Sequence, residues 1–357
     1  MNHAIHLAED APSADAIEGF RKGMAPFWHP VLDSEALGAD RPVGVVLLGR
    51  RLVLARLNGA VAALPDTCRH FQAQLSLGRI VGLGDVQGLQ CAYHGWTFDG
   101  GGRCLRIPQL PPERSVPKSA NLPPYHATEK YGLIWVCLAE QPRFPIPDFP
   151  EFDDPAYRKH RLEEAEPTRT SATRMIMGTL DDTHLPWVHD GILGHSDQPA
   201  PPDHRVWREG NELIVRYEAS QPAGVMTADM SRPDIAAGDT INLVYTDHVG
   251  MPNVIRLVKE TPHGRYVIWL ATCPVDYDRT RNFWQFARDY DLEPARDEIY
   301  QAMSAHVRSQ DKPVIESQRP WLLPPFWTRL ELPIAPGDLP LVEYQKWAEE
   351  LGIVTAI

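Results

Sequence analysis

The first third of the chain alternates short hydrophobic runs with turn residues, a pattern that favours β-strands. Asn58-Gly59 separates two of these runs, and this dipeptide is a strong signal for a tight hairpin. Gly49-Arg50 separates the two runs before it and indicates another turn. We therefore predict an all-β unit whose strand-like runs are 43–48, 52–57, 61–64 and 131–138.

Further strand-like runs follow in the second half of the chain, and their pattern favours an antiparallel sheet. Near the end of the sequence, Tyr344, Trp347 and Leu351 fall on one face of a predicted helix over 341–351. Gly352 follows at the position of a helix cap. The predicted strands of this second part are 212–217, 240–245, 254–258 and 266–271.

A proline-rich segment lies between the two patterns and marks a domain boundary, because proline removes backbone donors and stiffens linkers. The pattern as a whole predicts an α+β fold. The first 25 residues include a short amphipathic helix over 12–23, which we expect to pack with the second domain. The predicted segments are 1–25 (N-terminal helix), 26–141 (all-β domain), 142–155 (connector) and 156–357 (antiparallel sheet with helices).

Two short strings each pair one cysteine with one histidine: Cys68-Arg69-His70 and Cys91-Ala92-Tyr93-His94. Two thiolates on one iron and two imidazoles on the other can hold a [2Fe–2S] cluster, and the neutral imidazoles raise its potential. A Cys2His2 zinc site is the alternative, although zinc fingers group their cysteines together and their histidines together. We predict that the four ligands hold the cluster: Cys68, His70, Cys91 and His94.

Composition narrows the class of protein further. The chain has 357 residues, and its net charge of −12 argues against nucleic acid as a partner, which needs a basic face. No stretch reaches 18 apolar residues, and the first 25 residues do not read as a signal peptide. Cys104, Cys137 and Cys273 remain outside the two strings without paired spacing. We therefore expect a cytoplasmic protein with reduced thiols and no membrane span.

The two strings resemble the cluster loops of the Rieske family. The run C-x-x-H-G-W-x-F-D from Cys91 to Asp99 resembles Rieske non-haem iron oxygenases in particular. The resemblance covers nearly the whole chain and implies a Rieske domain followed by a helix-grip catalytic domain. The spacer of 20 residues between the strings is longer than usual in the family, and we expect its extra residues to form a longer turn over 81–85.

A further string in the second domain, from Asp181 to His189, resembles the D-x-x-H-x4-H motif that binds mononuclear iron in these oxygenases. Two histidines and one carboxylate occupy one face of Fe(II) and leave the opposite face open for dioxygen. In a straight helix, His184 and His189 would lie about 140° apart, so their convergence needs a bend or a helix end. Pro186 between them is a reason to expect one.

The resemblance also implies a third iron ligand. The segment from Asp311 to Gln318 resembles the third-ligand helix of the single-subunit oxygenases, and Asp311 falls on the ligand position. Asp311 could also cap a helix that contains Pro313. Glu316 is the second candidate, although we expect it to pair with a nearby base.

In this family, the residue that Asp181 matches bridges a cluster histidine of one subunit to an iron histidine of its neighbour. The resemblance therefore implies a head-to-tail homotrimer, closed by rotation. For Asp182 we expect a solvent-facing or capping role. Many relatives have an acidic residue and an asparagine seven and six residues before the first iron histidine, where this chain has Met177 and Gly178. This departure suggests a roomier or more apolar site.

Together these features imply a terminal oxygenase component that hydroxylates or N-/O-demethylates a small aromatic or heterocyclic substrate. It would use O2 and single electrons from a flavin reductase, directly or through a ferredoxin. The chain lacks a G-x-G-x-x-G fingerprint, so NAD(P)H is expected to act only through that reductase. The candidate pocket residues are Leu185, Val188, Ile192, Leu193, Met226, Tyr245, Met251 and Phe286.

Two alternatives stay open. One is an oxygenase that cis-dihydroxylates an aromatic ring. The other is a Rieske electron carrier fused to a ligand-binding domain, in which His184, His189 and Asp311 would not converge.

Overall fold

A computed structural model describes residues 12–229 and 239–353 of the chain. They form two compact units, which we call the small unit (Ala25–Pro145) and the large unit (the described residues up to Met24 and from Ile146 onward). The division falls inside the segment 142–155 that was predicted as a connector. Of the predicted N-terminal segment 1–25, residues 1–11 lie outside the described residues.

The small unit is built from short antiparallel strands. They are β1 (His29–Asp33), β2 (Val43–Leu47), β3 (Arg50–Leu57), β4 (Ala60–Pro65), β5 (Arg79–Leu83), β6 (Val86–Gln90), β7 (Thr97–Phe98), β8 (Cys104–Arg106), β9 (His126–Lys130) and β10 (Leu133–Cys137). They pair into three sheets with the orders β1-β10-β9, β2-β3-β4 and β5-β6-β7-β8. The strands predicted in this part are all present.

Turns in the small unit bear out one prediction and correct two. Asn58 and Gly59 join β3 to β4, both with positive φ (52° and 81°), as the hairpin signal predicts. The turn before β3 is formed by Leu48 and Gly49, so the predicted Gly49-Arg50 turn is wrong by one residue. The longer turn predicted over 81–85 is also wrong. β5 and β6 pair through to Leu83↔Val86, so the extra residues lengthen the strands of a tight hairpin.

The large unit combines α-helices with one antiparallel sheet. Its elements are α1 (Ala14–Met24), β11 (Arg158–Lys159), β12 (Glu163–Thr168), α2 (Ala172–Leu180), α3 (Leu185–Val188), β13 (Arg205–Glu209), β14 (Glu212–Pro222), β15 (Thr240–Gly250), β16 (Val254–Thr261), β17 (Gly264–Asp276), β18 (Arg279–Arg288), α4 (Asp297–Ser317) and α5 (Leu339–Glu350). The sheet order is β11-β18-β17-β16-β15-β14-β13, and β12 also pairs with β18.

The helices of the large unit cover the sheet. α2 packs on β16, β17 and β18 and also contacts α4 and α5. α1 belongs to this unit, where Arg21 forms an ion pair with Asp276 at 2.6 Å. The predicted C-terminal helix is present as α5, and Gly352 follows it with φ of 75°. Within the described residues, no helix combines the length and the apolar character needed to cross a membrane.

One row of residues crosses five strands of the sheet and positions the site described below. Cross-strand pairing runs from Tyr217 on β14 to Tyr245 on β15, Lys259 on β16, Tyr266 on β17 and Arg288 on β18. Directly opposed residues of neighbouring strands share a face, so all five side chains lie on the same face of the sheet. All five are buried.

Candidate metal centres and active-site cavity

The two Cys/His strings form two similar loops in the small unit. In each loop, a backbone N–H four residues on donates to the cysteine carbonyl, from Gln72 to Cys68 (3.0 Å) and from Gly95 to Cys91 (3.1 Å). Gln72 and Gly95 adopt positive φ (62° and 74°), which turns each loop tightly enough to present cysteine and histidine together. The two loops therefore bring all four predicted cluster residues into one place.

The ring nitrogens of this set face each other. His70 Nδ1 and His94 Nδ1 lie 3.2 Å apart, and the His70 ring stacks on Trp96 at 4.7 Å between centroids. Two imidazole nitrogens bound to one tetrahedral metal at bond lengths of about 2 Å are separated by about 3.3 Å. The observed spacing fits ligation of a single iron by both Nδ1 atoms.

The two thiols lie deeper than the imidazoles. Cys68 and Cys91 are buried among Leu75, Leu89 and Phe98 in the core of the small unit. Burial, together with the neighbouring Cys91 thiol, raises the pKa of Cys68 to about 12. A buried thiolate needs a nearby cation, so the Cys68 thiol at this depth fits metal ligation.

The second predicted centre brings together residues that are far apart in the sequence. His184 and His189 flank the four-residue helix α3, one at each end, so the helix end that their convergence requires is present. Asp311 Oδ1 lies 2.9 Å from His189 Nε2 and 3.5 Å from His184 Nε2. The ligand atoms of these three residues all lie within 4.8 Å of one another. Two histidines and one carboxylate in this arrangement fit a mononuclear Fe(II) site.

Further residues orient this set. His189 Nδ1 donates to Gln310 Oε1 at 2.9 Å, which leaves Nε2 directed at Asp311. Asp181 Oδ1 accepts hydrogen bonds from the Thr183 backbone N–H (2.8 Å) and hydroxyl (2.7 Å), and its Oδ2 lies 3.5 Å from His184 Nδ1. Such partners fix the tautomer and ring orientation of metal-binding histidines. The sequence reading missed Gln310, which adjoins Asp311 and carries no motif signal of its own.

Charge couples Asp181 to His184. Burial alone would lower the pKa of His184, but the hydrogen bond and charge of Asp181 outweigh burial and raise it. Burial likewise opposes ionisation of Asp181, while contacts with His184 and Thr183 lower the pKa of that carboxyl. Asp181 is therefore an ionised partner that holds the outer nitrogen of His184.

Three expectations around this centre need correction. Asp182 does not face solvent. It is buried, and its Oδ1 lies 3.1 Å from Nε2 of His204, whose side chain is shielded from solvent. Asp311 does not cap a helix, because α4 runs from Asp297 through Pro313 to Ser317 and holds Asp311 in its interior. Within the described residues, Glu316 does not form an ion pair with a basic side chain. It accepts a hydrogen bond from a backbone N–H, that of Arg169, at 2.9 Å.

A cavity of about 440 Å³ opens beside these three residues, between the sheet face and helices α2 and α4. Its size is that of a site for a small organic molecule. His184, His189 and Asp311 form part of its wall together with Asp181, and four aromatic side chains also line it. Tyr217 stacks on Tyr245 at 4.7 Å, and Trp284 lies parallel to Phe286 at 6.2 Å.

The candidate pocket residues divide into two groups. Leu185, Leu193, Met226, Tyr245 and Phe286 line the cavity. In the described part of the chain, the other three predicted residues do not line it: Val188, Ile192 and Met251. Met251 follows the last residue of β15, at the turn into β16 and away from the middle of the strands. Gly178 also lines the cavity. Because it has no side chain, Ile315 on α4 can approach closely, and Ile315 Cδ1 lies 3.0 Å from the position that a Cβ of residue 178 would take.

Comparison with known proteins gives a consistent result. Residues 27–126 match the family described as the Rieske [2Fe-2S] domain, and residues 169–352 match the vanillate O-demethylase oxygenase C-terminal domain. Methylxanthine N3-demethylase NdmB of Pseudomonas putida is 31% identical over 335 residues, which are 92% of this chain and 89% of that protein. Methylxanthine N1-demethylase NdmA of the same organism is 30% identical over 93% of this chain and 90% of its own.

Among solved structures, that of Pseudomonas putida CBB5 NdmA with caffeine is similar, with a TM-score of 0.79 and 30% identity over 94% of this chain and 92% of that one. The shared sequence, both matched domains and the common fold agree with the two sets of converging residues. The chain belongs to the Rieske non-haem iron oxygenases, as an oxygenase component that uses a [2Fe–2S] cluster, mononuclear iron, O2 and electrons from a reductase.

Proposed function

We propose that this oxygenase removes a methyl group from nitrogen or oxygen of a small aromatic or heterocyclic substrate that binds in the 440 Å³ cavity. The observation that carries the proposal is the position of His184, His189 and Asp311 in the wall of a cavity that also presents four aromatic side chains. Similarity to two methylxanthine N-demethylases supports the reaction type. Hydroxylation of a methyl carbon on nitrogen or oxygen gives a product that collapses with loss of formaldehyde.

We assign the site residues as follows. Cys68, His70, Cys91 and His94 would hold the [2Fe–2S] cluster, and His184, His189 and Asp311 would hold the mononuclear iron. When bound, the cluster supplies single electrons and the iron supplies oxygen activation. Gln310 Oε1 accepts a hydrogen bond from Nδ1–H of His189, and Asp181 lies beside Nδ1 of His184, so both rings keep their Nε2 atoms directed at the same point.

The cavity walls would place the substrate. The flat faces of the Tyr217–Tyr245 stack and of Trp284 and Phe286 suit a planar ring, whose burial excludes water from the reacting methyl group. A bound ring held at these walls would present its substituents towards His184, His189 and Asp311. The substrate therefore needs an aromatic body of modest size and a methyl group at its edge.

Three further features belong to the proposal. We expect a ferredoxin or flavin reductase as electron donor, a homotrimer as the assembly and the cytoplasm as the location. The family resemblance of Asp181 supports the homotrimer, since it assigns this residue to electron transfer between neighbouring subunits. The five cysteines, all free and buried in the described structure, suit a reducing compartment. Sedimentation analysis of the iron-loaded protein tests the assembly directly.

The test combines metal analysis with turnover. Wild type and Asp311→Ala are purified anaerobically, iron is counted, and the dithionite-reduced cluster is observed by EPR. We expect the variant to lose the mononuclear iron and to keep the cluster signal. With a reductase, wild type should release formaldehyde and consume O2 with N-methyl or O-methyl aromatic probes, and the variant should not.

Each contrary outcome has a distinct meaning. Equal iron content in the two proteins would refute Asp311 as a ligand. Formation of a cis-diol without formaldehyde would show that the enzyme dihydroxylates the ring and does not demethylate the substrate. A wild type that holds only the iron of the cluster would be an electron carrier.

A further inference from the structure

Lys259 is a buried basic residue in the wall of the cavity. It lies on β16 in the row that crosses the sheet, between Tyr245 and Tyr266, and only 2% of its surface is exposed. A lysine at such a position is costly, because an ammonium loses its hydration and must be compensated by a partner. The question is what provides that compensation.

Other buried basic residues of the large unit have their partners within the protein. Arg288, at the end of the same row, is fully buried and pairs with Asp297 at 2.7 Å, and Arg174 on α2 pairs with Glu331 at 2.6 Å. Lys259 differs. Within the described part of the chain its ammonium forms no hydrogen bond or ion pair, and it lies over the Tyr245 ring, 5.3 Å from the centroid.

The nearest acidic group does not satisfy Lys259. Asp247 on β15 lies in the neighbouring row of the same face, but it forms no ion pair with Lys259 among the described residues. Its own Oδ1 is buried without a hydrogen-bond partner. Burial, opposed in part by Asp247, lowers the pKa of Lys259 to about 8, so the side chain still carries its charge at neutral pH.

Each of the two other lysine and arginine residues around the cavity has a partner within the protein. Arg308 pairs with Glu163 through Nη2, while its buried Nη1 has no hydrogen-bond partner among the described residues. Lys312 donates to the Pro167 carbonyl at 3.2 Å. Among the described residues of the cavity wall, Lys259 is thus the lysine or arginine that forms neither a hydrogen bond nor an ion pair. A ligand in the cavity could accept from its ammonium.

We propose that Lys259 anchors an anionic oxygen of the substrate, a carboxylate or phenolate carried on an aromatic ring. This inference rests on the proposed function, because it takes the cavity beside the iron residues to be the substrate site. An anion compensates the buried ammonium through charge-assisted hydrogen bonds, which are about twice as strong as neutral ones. The Tyr217–Tyr245 stack beside Lys259 provides the face on which the ring packs. Lys259 would thereby separate this enzyme from relatives named for methylxanthines.

The test measures binding without turnover. The iron-loaded enzyme is titrated calorimetrically with 4-methoxybenzoate and with its neutral counterpart 4-methoxybenzamide. We expect wild type to bind the anion about 10- to 100-fold more tightly, the range for a hydrogen bond to a charged group. Lys259→Met keeps the length of the side chain, and it should remove this preference while the affinity for the amide stays within about twofold.

Controls separate a local role from a general one. Lys346→Met deletes a lysine on the exposed surface of α5 and should leave both affinities unchanged. Lys259→Arg keeps the charge and should keep part of the preference for the anion. Visible and near-ultraviolet circular dichroism of each variant checks that the cluster and the packing are intact.

Two results would overturn the proposal. In the first, wild type shows no preference for the anion, which includes the case that it binds neither probe. In the second, the Lys259→Met variant keeps the preference. Failure of the proposed function has a different signature. If wild type shows the Lys259-dependent preference but releases no formaldehyde with a reductase, the anchor stands and the demethylase assignment fails.

Discussion

Replacing Lys259 with methionine should stabilise the protein, and the gain should vanish as pH rises. Burial lowers the pKa of this lysine from 10.5 to about 8. Each pKa unit corresponds to about 1.4 kcal/mol, so the folded state bears a penalty of about 3 kcal/mol for keeping the ammonium. Methionine fills similar space without a charge, so the folded variant should not bear this free-energy cost.

The pH dependence follows from proton binding. Below about pH 8, the lysine is protonated in both the folded and the unfolded chain, and wild type bears the whole penalty. Between about pH 8 and pH 10.5 the unfolded chain binds more protons than the folded one, so the stability of wild type rises with pH. The difference between variant and wild type should therefore be about 3 kcal/mol at pH 7 and close to zero near pH 10.5.

The neighbours of Lys259 do not change this sign. Asp247 favours the charged lysine but reduces the penalty only in part, and burial raises the pKa of the Asp247 carboxyl well above its usual range, so that the uncharged form is favoured there. Tyr245 and Tyr266 flank Lys259 in the row, and burial raises the pKa of both phenols, so they stay neutral in the folded protein across this range. Their titration in the unfolded chain is common to the two proteins and cancels in the comparison.

Urea unfolding at pH 7, 8, 9 and 10, followed by fluorescence, measures the difference. The slope against urea should match between the proteins, so that a shift in midpoint reports stability. Lys346→Met, an exposed lysine, serves as control and should stay within about 0.5 kcal/mol of wild type at every pH. A variant less stable than wild type at pH 7, or a gap that does not shrink between pH 8 and 10, would refute the argument.

Three further substitutions test other parts of the site. His70→Cys adds a thiolate to the cluster and should lower the reduction potential of the cluster by roughly 100 mV or more, measured in an EPR-monitored titration. An unchanged potential would contradict the assignment of His70 as a ligand. Asp182→Ala leaves buried His204 without its partner and should cost about 2 kcal/mol in urea unfolding, whereas a neutral result would mean that the pair contributes nothing. Gly178→Asn places a Cβ against Ile315 and should lower the free energy of unfolding by about 1–3 kcal/mol. Adding Ile315→Ala in the same chain should recover part of this loss, and strictly additive losses would argue against the contact.

Local sequence signals predicted the parts of this structure that short segments determine. Each cluster loop holds its cysteine and histidine within a few residues, so the donor set can be identified before the loops are placed in space. Asn58-Gly59 works in the same way, because two residues with positive φ are enough to form the turn. The Leu48-Gly49 turn was placed one residue late because leucine seldom adopts positive φ, so only the glycine was a visible signal.

Residues whose roles depend on distant pairing escaped the sequence reading. Asp182 looked like a surface carboxylate because nothing in the neighbouring sequence indicates His204, which reaches it from before β13. Lys259 lies near the end of a strand in the run Val258-Lys259-Glu260, an ordinary place for an exposed lysine. Its burial follows from the register of the neighbouring strands, which places it between Tyr245 and Tyr266.

The candidate residues for the reaction chemistry were found from local sequence signals, whereas the residues that line the cavity and would select the substrate depend on distant pairing. The residues proposed to hold the two metal centres lie mostly in compact motifs, and even the distant candidate ligand Asp311 has a recognisable segment of its own. Substrate choice depends on side chains gathered from α2, α4 and several strands of the sheet, each of which resembles ordinary core when viewed alone. A buried lysine without a hydrogen-bond or ion-pair partner among the described residues is an exception, because an unpaired charge destabilises a core. Specificity in related oxygenases should therefore be sought first at buried polar residues of the sheet face whose hydrogen bonds the protein itself does not complete.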